Sequence, residues 1–367
     1  MIEKDYYIPF DLLESFMKDV FIKLGVPEED AKTAAEVLIT SDKRGIESHG
    51  IARMKDFYYD RILNHTLNPV TGIEIVKDGF TTTVIDGHDG LGHVIAKKAM
   101  EIAIEKAGRY GMGMTVVRNS NHFGIAGYYA MQAVKEGMMG MTGTNARPSV
   151  APTLGVENMF GTNPMTFAFP TDEDFPFVYD AATSLIQRGK VEICQRTGKK
   201  MPEGWVVDHN GMPMTDPGAV LEALLKGLAA LTPLGGIGEE NSGYKGYGLA
   251  MVVEILSSAF QGGAFLKALS GFDPAGGKTF CHIGHFFMAV DISCFTELDI
   301  FKKTVGDMLR QIRASRKAPG QERIYTAGEK EHLSMLANKD RGAHVTLATM
   351  REIMIMQDEL SLCDYKF

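Results

Sequence analysis

Apolar residues recur at helical spacing from Leu12 through Leu13, Phe16, Met17, Val20, Phe21 and Leu24, and Gly25 stops the run. Pro27 followed by Glu28, Glu29 and Asp30 then opens a second helix: a proline preset for the first turn, with acids toward the positive dipole end. That helix ends near Gly45. A third begins around Ser48 and carries Ile51, Met54, Phe57, Tyr58 and Ile62. IEIV and TTTVID around Asp78-Gly79 read as a hairpin. From residue 91 the pattern turns to α/β. A helix over 93–109, a strand over 113–118, a helix over 125–137 and a strand over 139–144 form a crossover unit. After a proline- and glycine-rich stretch (148–164), strands are expected near 165–169 and 176–180. Helices near 218–231 and 247–260 flank a glycine loop, 283–292 alternates as a strand, and 297–314 is helical. The last forty residues are mixed and polar and read as a docking tail.

The 367 residues suit two domains or one elaborate one. With 45% hydrophobic and 23% charged residues, the chain is an ordinary globular one, which excludes wholesale disorder. The net charge of −8, without a Lys/Arg run, argues against a nucleic-acid or anionic-membrane partner. An anionic small molecule is still allowed, through a few locally placed cations. The start MIEKDYYIPF has no signal-peptide pattern, and no window is apolar enough to span a bilayer. Four scattered cysteines fit reduced thiols, so a cytoplasmic protein is expected.

Four segments could carry chemistry. NSNHFG (119–124) follows a strand end, where ligands gather in parallel sheets, and His122 could exchange a proton near neutral pH. The same residues would equally make a capping loop. In RGIESHGIAR (44–53), Ser48 could cap a helix, with His49 in its first turn and Arg53 on the same face. That pair could hold a carboxylate and manage a proton beside it, or belong to a plain surface helix. At such a helix start, the dipole would lower the His49 pKa. The loop PLGGIGEENSGYKG could meet an anion with backbone N–H groups, and Lys245 could add a charge; a mobile surface loop is the other reading. In DAATS (180–184), Asp180 could orient an imidazole or cap a helix. There is no Walker loop, no GxGxxG and no GxSxG. Cys281, His282 and His285 look like a metal cluster, but strand alternation puts neighbours on opposite faces, so no metal is expected.

SDKRGIESHGIARM, NSNHFGIAGYYA, GTNPMTFAFP, DAATS, KGYGLAMVVEIL and GHFFMAVD, in this order, resemble the type-2 malate/L-lactate dehydrogenase family. That family includes sulfolactate and ureidoglycolate dehydrogenases. The resemblance covers about residues 10–335; LGGIGEENSGYKGYG and KAPGQERIYTAGEKE are most similar to its malate dehydrogenase branch. It implies an α/β, non-Rossmann dinucleotide-binding fold with a mixed sheet, and helical N- and C-terminal segments forming a second domain. It also implies NAD or NADP as cofactor, a small 2-hydroxy/2-oxo acid as substrate, and a homodimer. The corresponding division is 1–118 with 295–367 as a substrate and dimerisation unit, and 119–294 as a cofactor unit. By motif, His122 matches an acid/base proposed in some members. Ser48 and His49 match a relay proposed in others, with Asp180 as its acid. Arg53 matches the substrate-carboxylate arginine. Asp180, Ala181, Ala182, Lys245, Gly328 and Glu329 match cofactor-contacting positions, although this chain has Ala327-Gly328 where many members have Pro-Gly. The expected reaction is malate–oxaloacetate interconversion, with lactate or sulfolactate oxidation and a non-catalytic scaffold as alternatives.

Overall fold

Strand β1 (Tyr6–Ile8) leads into α1 (Phe10–Lys23) and α2 (Glu28–Lys43), close to the expected bounds. These belong to a computed structural model that describes residues 6–367; the first five residues of the expected 1–118 unit lie outside it. Leu13, Phe16, Met17, Val20 and Phe21 are fully buried, each contributing about 1.5–3 kcal/mol by leaving water.

The third helix does not form as one α-helix. Glu47–His49 and Ile51–Arg53 are single 3₁₀ turns, Met54–Tyr59 is π-helical, and only Asp60–Leu63 (α3) is α-helical. One cause is Asp42, buried in α2: its carboxyl accepts the Ile51 N–H at 2.9 Å and draws that donor out of a helical ladder.

The hairpin forms as expected from β2 (Glu74–Asp78) and β3 (Thr82–Asp86). Then follow α4 (Gly92–Tyr110), β4 (Met112–Ser120), α5 (Ala126–Lys135), β5 (Met138–Thr144), β6 (Met165–Phe169) and β7 (Phe177–Ala181). Next come α6 (Arg188–Arg196), β8 (Val206–Asp208), α7 (Pro217–Leu225), β9 (Ala229–Leu231) and α8 (Gly243–Ser258). The chain closes with β10 (Ile283–Asp291), α9 (Leu298–Ala314), α10 (Glu329–Asn338), β11 (Ala343–Val345) and α11 (Leu347–Glu359). The helix expected over 218–231 stops at Leu225, because the buried Ala229–Leu231 pairs with Val206–Asp208 instead.

Seven strands form one mixed sheet in the order β2-β3-β4-β10-β5-β6-β7. Only β3 and β4 pair in parallel. The expected crossover from β4 through α5 to β5 exists, but β10 is inserted between the two strands, antiparallel to both. The α4 and α5 helices cover one face of this sheet, with Ile95, Ala99, Ala103, Tyr129 and Phe287 in their shared core. The expected boundary at 118/119 falls inside β4, in the middle of the sheet.

The C-terminal segment is more than a tail. Strand β11 pairs with β1, and Met350, Ile353 and Met356 share one core with Phe16, Phe21 and Tyr58. The two chain ends therefore complete a helical body together. Residues 150–231, with Ala250, form a further small core around Phe160, Val206 and Leu231. Among the described residues, no helix is long and apolar enough to cross a membrane.

Candidate active site

The segment Asn119–Gly124 is held from three sides. At its start, Asn119 has a left-handed φ of 51° and donates to both carboxylate oxygens of Asp86. Asn121 is fully buried and donates to Asp89 O at 2.9 Å and Gly90 O at 3.2 Å. The first turn of α4 presses on the same backbone: a Cβ at Gly92 would stand 2.2 Å from Asn121 O, so only glycine permits this approach. From β10, His285 hydrogen-bonds Ser120 and Thr144 at 2.8 Å each and stacks on Phe123, with centroids 4.5 Å apart. His285 is thus a structural member of the sheet.

Residues 48–61 lie against this segment. Ser48 Oγ sits 2.9 Å from His49 Nδ1, and Arg53 Nε donates to Ser48 O at 2.5 Å. The His49 and His122 rings are stacked, 5.7 Å apart and 23° from parallel. Two histidines that the sequence offered as alternatives therefore face one another. Phe57 organises the surroundings: its ring is 4.9 Å from His122, with the Arg53 guanidinium at 5.0 Å and that of Arg61 at 5.2 Å. The Tyr58 hydroxyl is 2.5 Å from His122 Nδ1.

Arg61 also reaches Asn121 Oδ1 and Cys281 Sγ, each at 3.5 Å. Arg147 lies over the Phe272 ring, within electrostatic reach of Cys281 and Arg61. Among the described residues, none of Arg53, Arg61 and Arg147 has a carboxylate within ion-pair distance; rings, a carbonyl, an amide oxygen and a thiol are their neighbours. Sequence reasoning found Arg53 alone. Arg61 carried a usable signal, eight residues on and so about two helical turns away. Arg147 carried none, because chain folding alone brings residue 147 to residue 61.

These surroundings keep both imidazoles neutral. His49 is pushed down to about 4, by burial first and by Arg53 second. The dipole expected to do this is absent, since residues 47–49 form one 3₁₀ turn rather than the start of an α-helix. His122 is held well below the ordinary histidine value by burial, then by His49, His93, Arg53 and Arg61.

Asp180 is placed elsewhere. Its carboxylate accepts the Gly127 N–H at 2.7 Å and the Thr166 hydroxyl at 2.8 Å. No hydrogen bond joins it to Ser48 or His49 among the described residues; it serves the start of α5. After it, Ala181 ends β7 and Ala182 follows it, and the Leu234 N–H donates to Thr183 O at 2.9 Å, tying the glycine loop to this strand end. Gly235 and Gly236 turn that loop with φ of 97° and 81°, conformations closed to most side chains. Lys245 stands exposed in the first turn of α8, 5.8 Å from the Tyr244 ring and without a carboxylate partner among the described residues. On the other side, Ala327 O accepts the Val178 N–H at 3.3 Å, which seats Gly328 on β7. Glu329 is 1% exposed, and its carboxylate is taken by Arg323 and by the Thr326 N–H. Its side chain ties the turn before α10 and is not free for a ligand. What remains around β7 is an exposed cation and glycine-rich backbone, which fits the phosphates and hydroxyls of a dinucleotide.

Two stacked imidazoles held neutral, with the guanidiniums of Arg53 and Arg61 beside them and no carboxylate within ion-pair distance of either among the described residues, have the chemistry of an enzyme site for a small anion. The profile of the malate/L-lactate dehydrogenase family matches residues 8–354. Malate dehydrogenase from Pyrococcus horikoshii is 43% identical over 96% of this chain and 97% of its own. L-sulfolactate dehydrogenase from Methanocaldococcus jannaschii is 41% identical over 88% of each. The crystal structure of malate dehydrogenase from Entamoeba histolytica superposes with a TM-score of 0.93 at 42% identity, covering 98% of this chain and 99% of that one. The chain belongs to the malate/L-lactate dehydrogenase family and is a dehydrogenase.

Proposed function

We propose that the protein interconverts (S)-malate and oxaloacetate with NAD or NADP. The observation that carries this reading is three guanidiniums with no carboxylate within ion-pair distance among the described residues: Arg53 and Arg61 beside His122, and Arg147 within electrostatic reach of Arg61. One cation suffices for the carboxylate of lactate, whereas a second acidic group needs its own. In this reading Arg53 grips the carboxylate beside the reacting carbon, and Arg61 with Arg147 takes the distal one. The nicotinamide, when bound, supplies or accepts the hydride. Lys245, Asp180 to Ala182 and Gly328 would hold the dinucleotide.

His122 carries the proton, and His49 supports it from the stacked face. The free site repels a proton, because Arg53 and Arg61 add to the burial penalty on His122. A dianionic substrate cancels that repulsion, so the imidazole becomes able to take a proton once the substrate is seated. Proton uptake and substrate charge are thereby coupled.

We also infer a homodimer in the cytoplasm. Leu249, Val252, Ile255 and Phe260 leave an apolar stripe exposed on and beyond α8, and a second copy would cover it. A dimer of this kind buries more than roughly 2,000 Å²; a monomer by light scattering at micromolar concentration would refute it. The four unpaired cysteines suit a reducing compartment. The function itself is tested by following NADH and NADPH absorbance with oxaloacetate, pyruvate and sulfopyruvate. Oxaloacetate is expected to be turned over fastest. Preference for sulfopyruvate would move the assignment to a sulfonate substrate, and no turnover of any 2-oxo acid would overturn it.

A further inference from the structure

Tyr58 is fully buried on the π-helical turn, its ring against Phe21 at 5.8 Å and His93 at 4.7 Å. Its hydroxyl meets His122 at Nδ1, 2.5 Å away. The Gly124 N–H points at the same nitrogen from 3.4 Å. An N–H can only donate, so Nδ1 has an acceptor's surroundings, and the ring proton belongs on Nε2. His93 does not compete for the hydroxyl: it offers Tyr58 its ring, and neither of its nitrogens has a hydrogen-bond partner among the described residues.

We propose that Tyr58 is the positioning residue for His122: in the free enzyme its hydroxyl donates to Nδ1, fixes the plane of the ring and leaves Nε2–H toward the substrate oxygen. Once the substrate is seated, the ring takes a second proton from water at Nδ1, the hydroxyl turning to accept it. Nε2 then passes its proton to the oxygen made an alkoxide by hydride addition, leaving a neutral ring. The proposal rests on the reading of His122 as the proton carrier. It gives Tyr58 the orienting task that the sequence offered to Asp180, whose carboxylate is occupied by Gly127 and Thr166.

A phenol suits this position for a physical reason. A carboxylate here would pair with Arg53 or Arg61 and consume the positive charge that an anionic substrate requires. The hydroxyl orients the imidazole without adding a charge, since burial holds the phenol well above its ordinary range. The widened turn places it: Arg53, Phe57, Tyr58 and Arg61 all converge on His122 from this one stretch. π-Helical turns recur at functional sites.

The test is Tyr58→Phe, which removes one oxygen and keeps the packed ring. ¹⁵N NMR of the His122 ring is expected to show a proton on Nε2 and a bare Nδ1 in the wild type, and mixed tautomers in the variant. The kcat for oxaloacetate should fall about tenfold or more, while KM and the NADH dissociation constant stay within about threefold. In a His122→Gln background, Tyr58→Phe should have no further effect on kcat, because the two residues act as a unit. An unchanged His122 tautomer, or an equal loss of kcat in both backgrounds, overturns the proposal. The NMR measurement needs no turnover, so it separates a failure of Tyr58's role from a failure of the His122 assignment.

Discussion

The two ends of the site are built on different principles. The histidine end is made of side chains: His49, Phe57, Tyr58, Arg61 and His122 interlock over buried Asn121 and Phe123. The β7 end is made of backbone: a glycine loop, two alanines and an extended chain at Gly328, with one exposed lysine. The guanidiniums of Arg53 and Arg61 in the first are half-buried and have no carboxylate within ion-pair distance among the described residues, so each retains much of its force. Lys245 at the second is exposed to water and screened. Precise recognition of a small acid needs the first design. A long, hydroxyl-rich cofactor can be held by many weak backbone contacts.

That contrast is sharpened first at His122. His122→Gln should lower kcat at least about a hundredfold with NADH binding retained, since acid–base catalysis is lost. Steady-state kinetics with oxaloacetate beside NADH titration checks it. If His49→Gln abolishes turnover instead and His122→Gln does not, the two roles are exchanged.

Arg61→Ala and Arg147→Ala should each raise KM for oxaloacetate about 10- to 100-fold, the scale of a lost charge-assisted hydrogen bond. Pyruvate, with one carboxylate, should be affected far less. Equal losses on both substrates would remove these arginines from the distal subsite.

At the other end the effect is smaller. Lys245→Ala should weaken NADH about tenfold, near the lower bound for such a bond because the lysine is exposed. Fluorescence titration reads it; an unchanged dissociation constant with an intact melting temperature would detach Lys245 from the cofactor.

The last prediction concerns stability. His93, buried beside Tyr58, is lowered to about 3 by burial, against an unfolded value near 6.5. Between those values the unfolded chain binds the extra proton, so stability rises with pH up to about 6.5 and is flat above it. His93→Phe should flatten that slope by one proton's share, at most about 1.4 kcal/mol per pH unit. Urea unfolding across pH 4 to 7 measures it, and an unaltered slope would mean His93 is already charged in the fold.

Much was legible in the chain before folding was considered. The helices at 10–43, the hairpin at Asp78-Gly79 and the strands at 165–169 and 283–291 follow from apolar periodicity and turn chemistry, which are local. The motifs SHGIAR and NHFG marked His49, Arg53 and His122 from the residues themselves. Other features were not local. Ile51's helical bond is lost to Asp42, nine residues earlier, so the third helix became 3₁₀ and π turns.

What the sequence by itself determined is therefore the set of elements and the chemically able residues within them, because both depend on neighbours a few positions apart. The tertiary structure alone decided the rest. It inserted β10 between β4 and β5, and used the C-terminal segment to finish the N-terminal core. It bound Asp180 to Gly127, stacked His49 on His122, and brought Arg147 within reach of Arg61. Each of these is a contact between residues far apart in the chain, selected by burial and hydrogen-bond satisfaction over the whole molecule, and no local pattern encodes it.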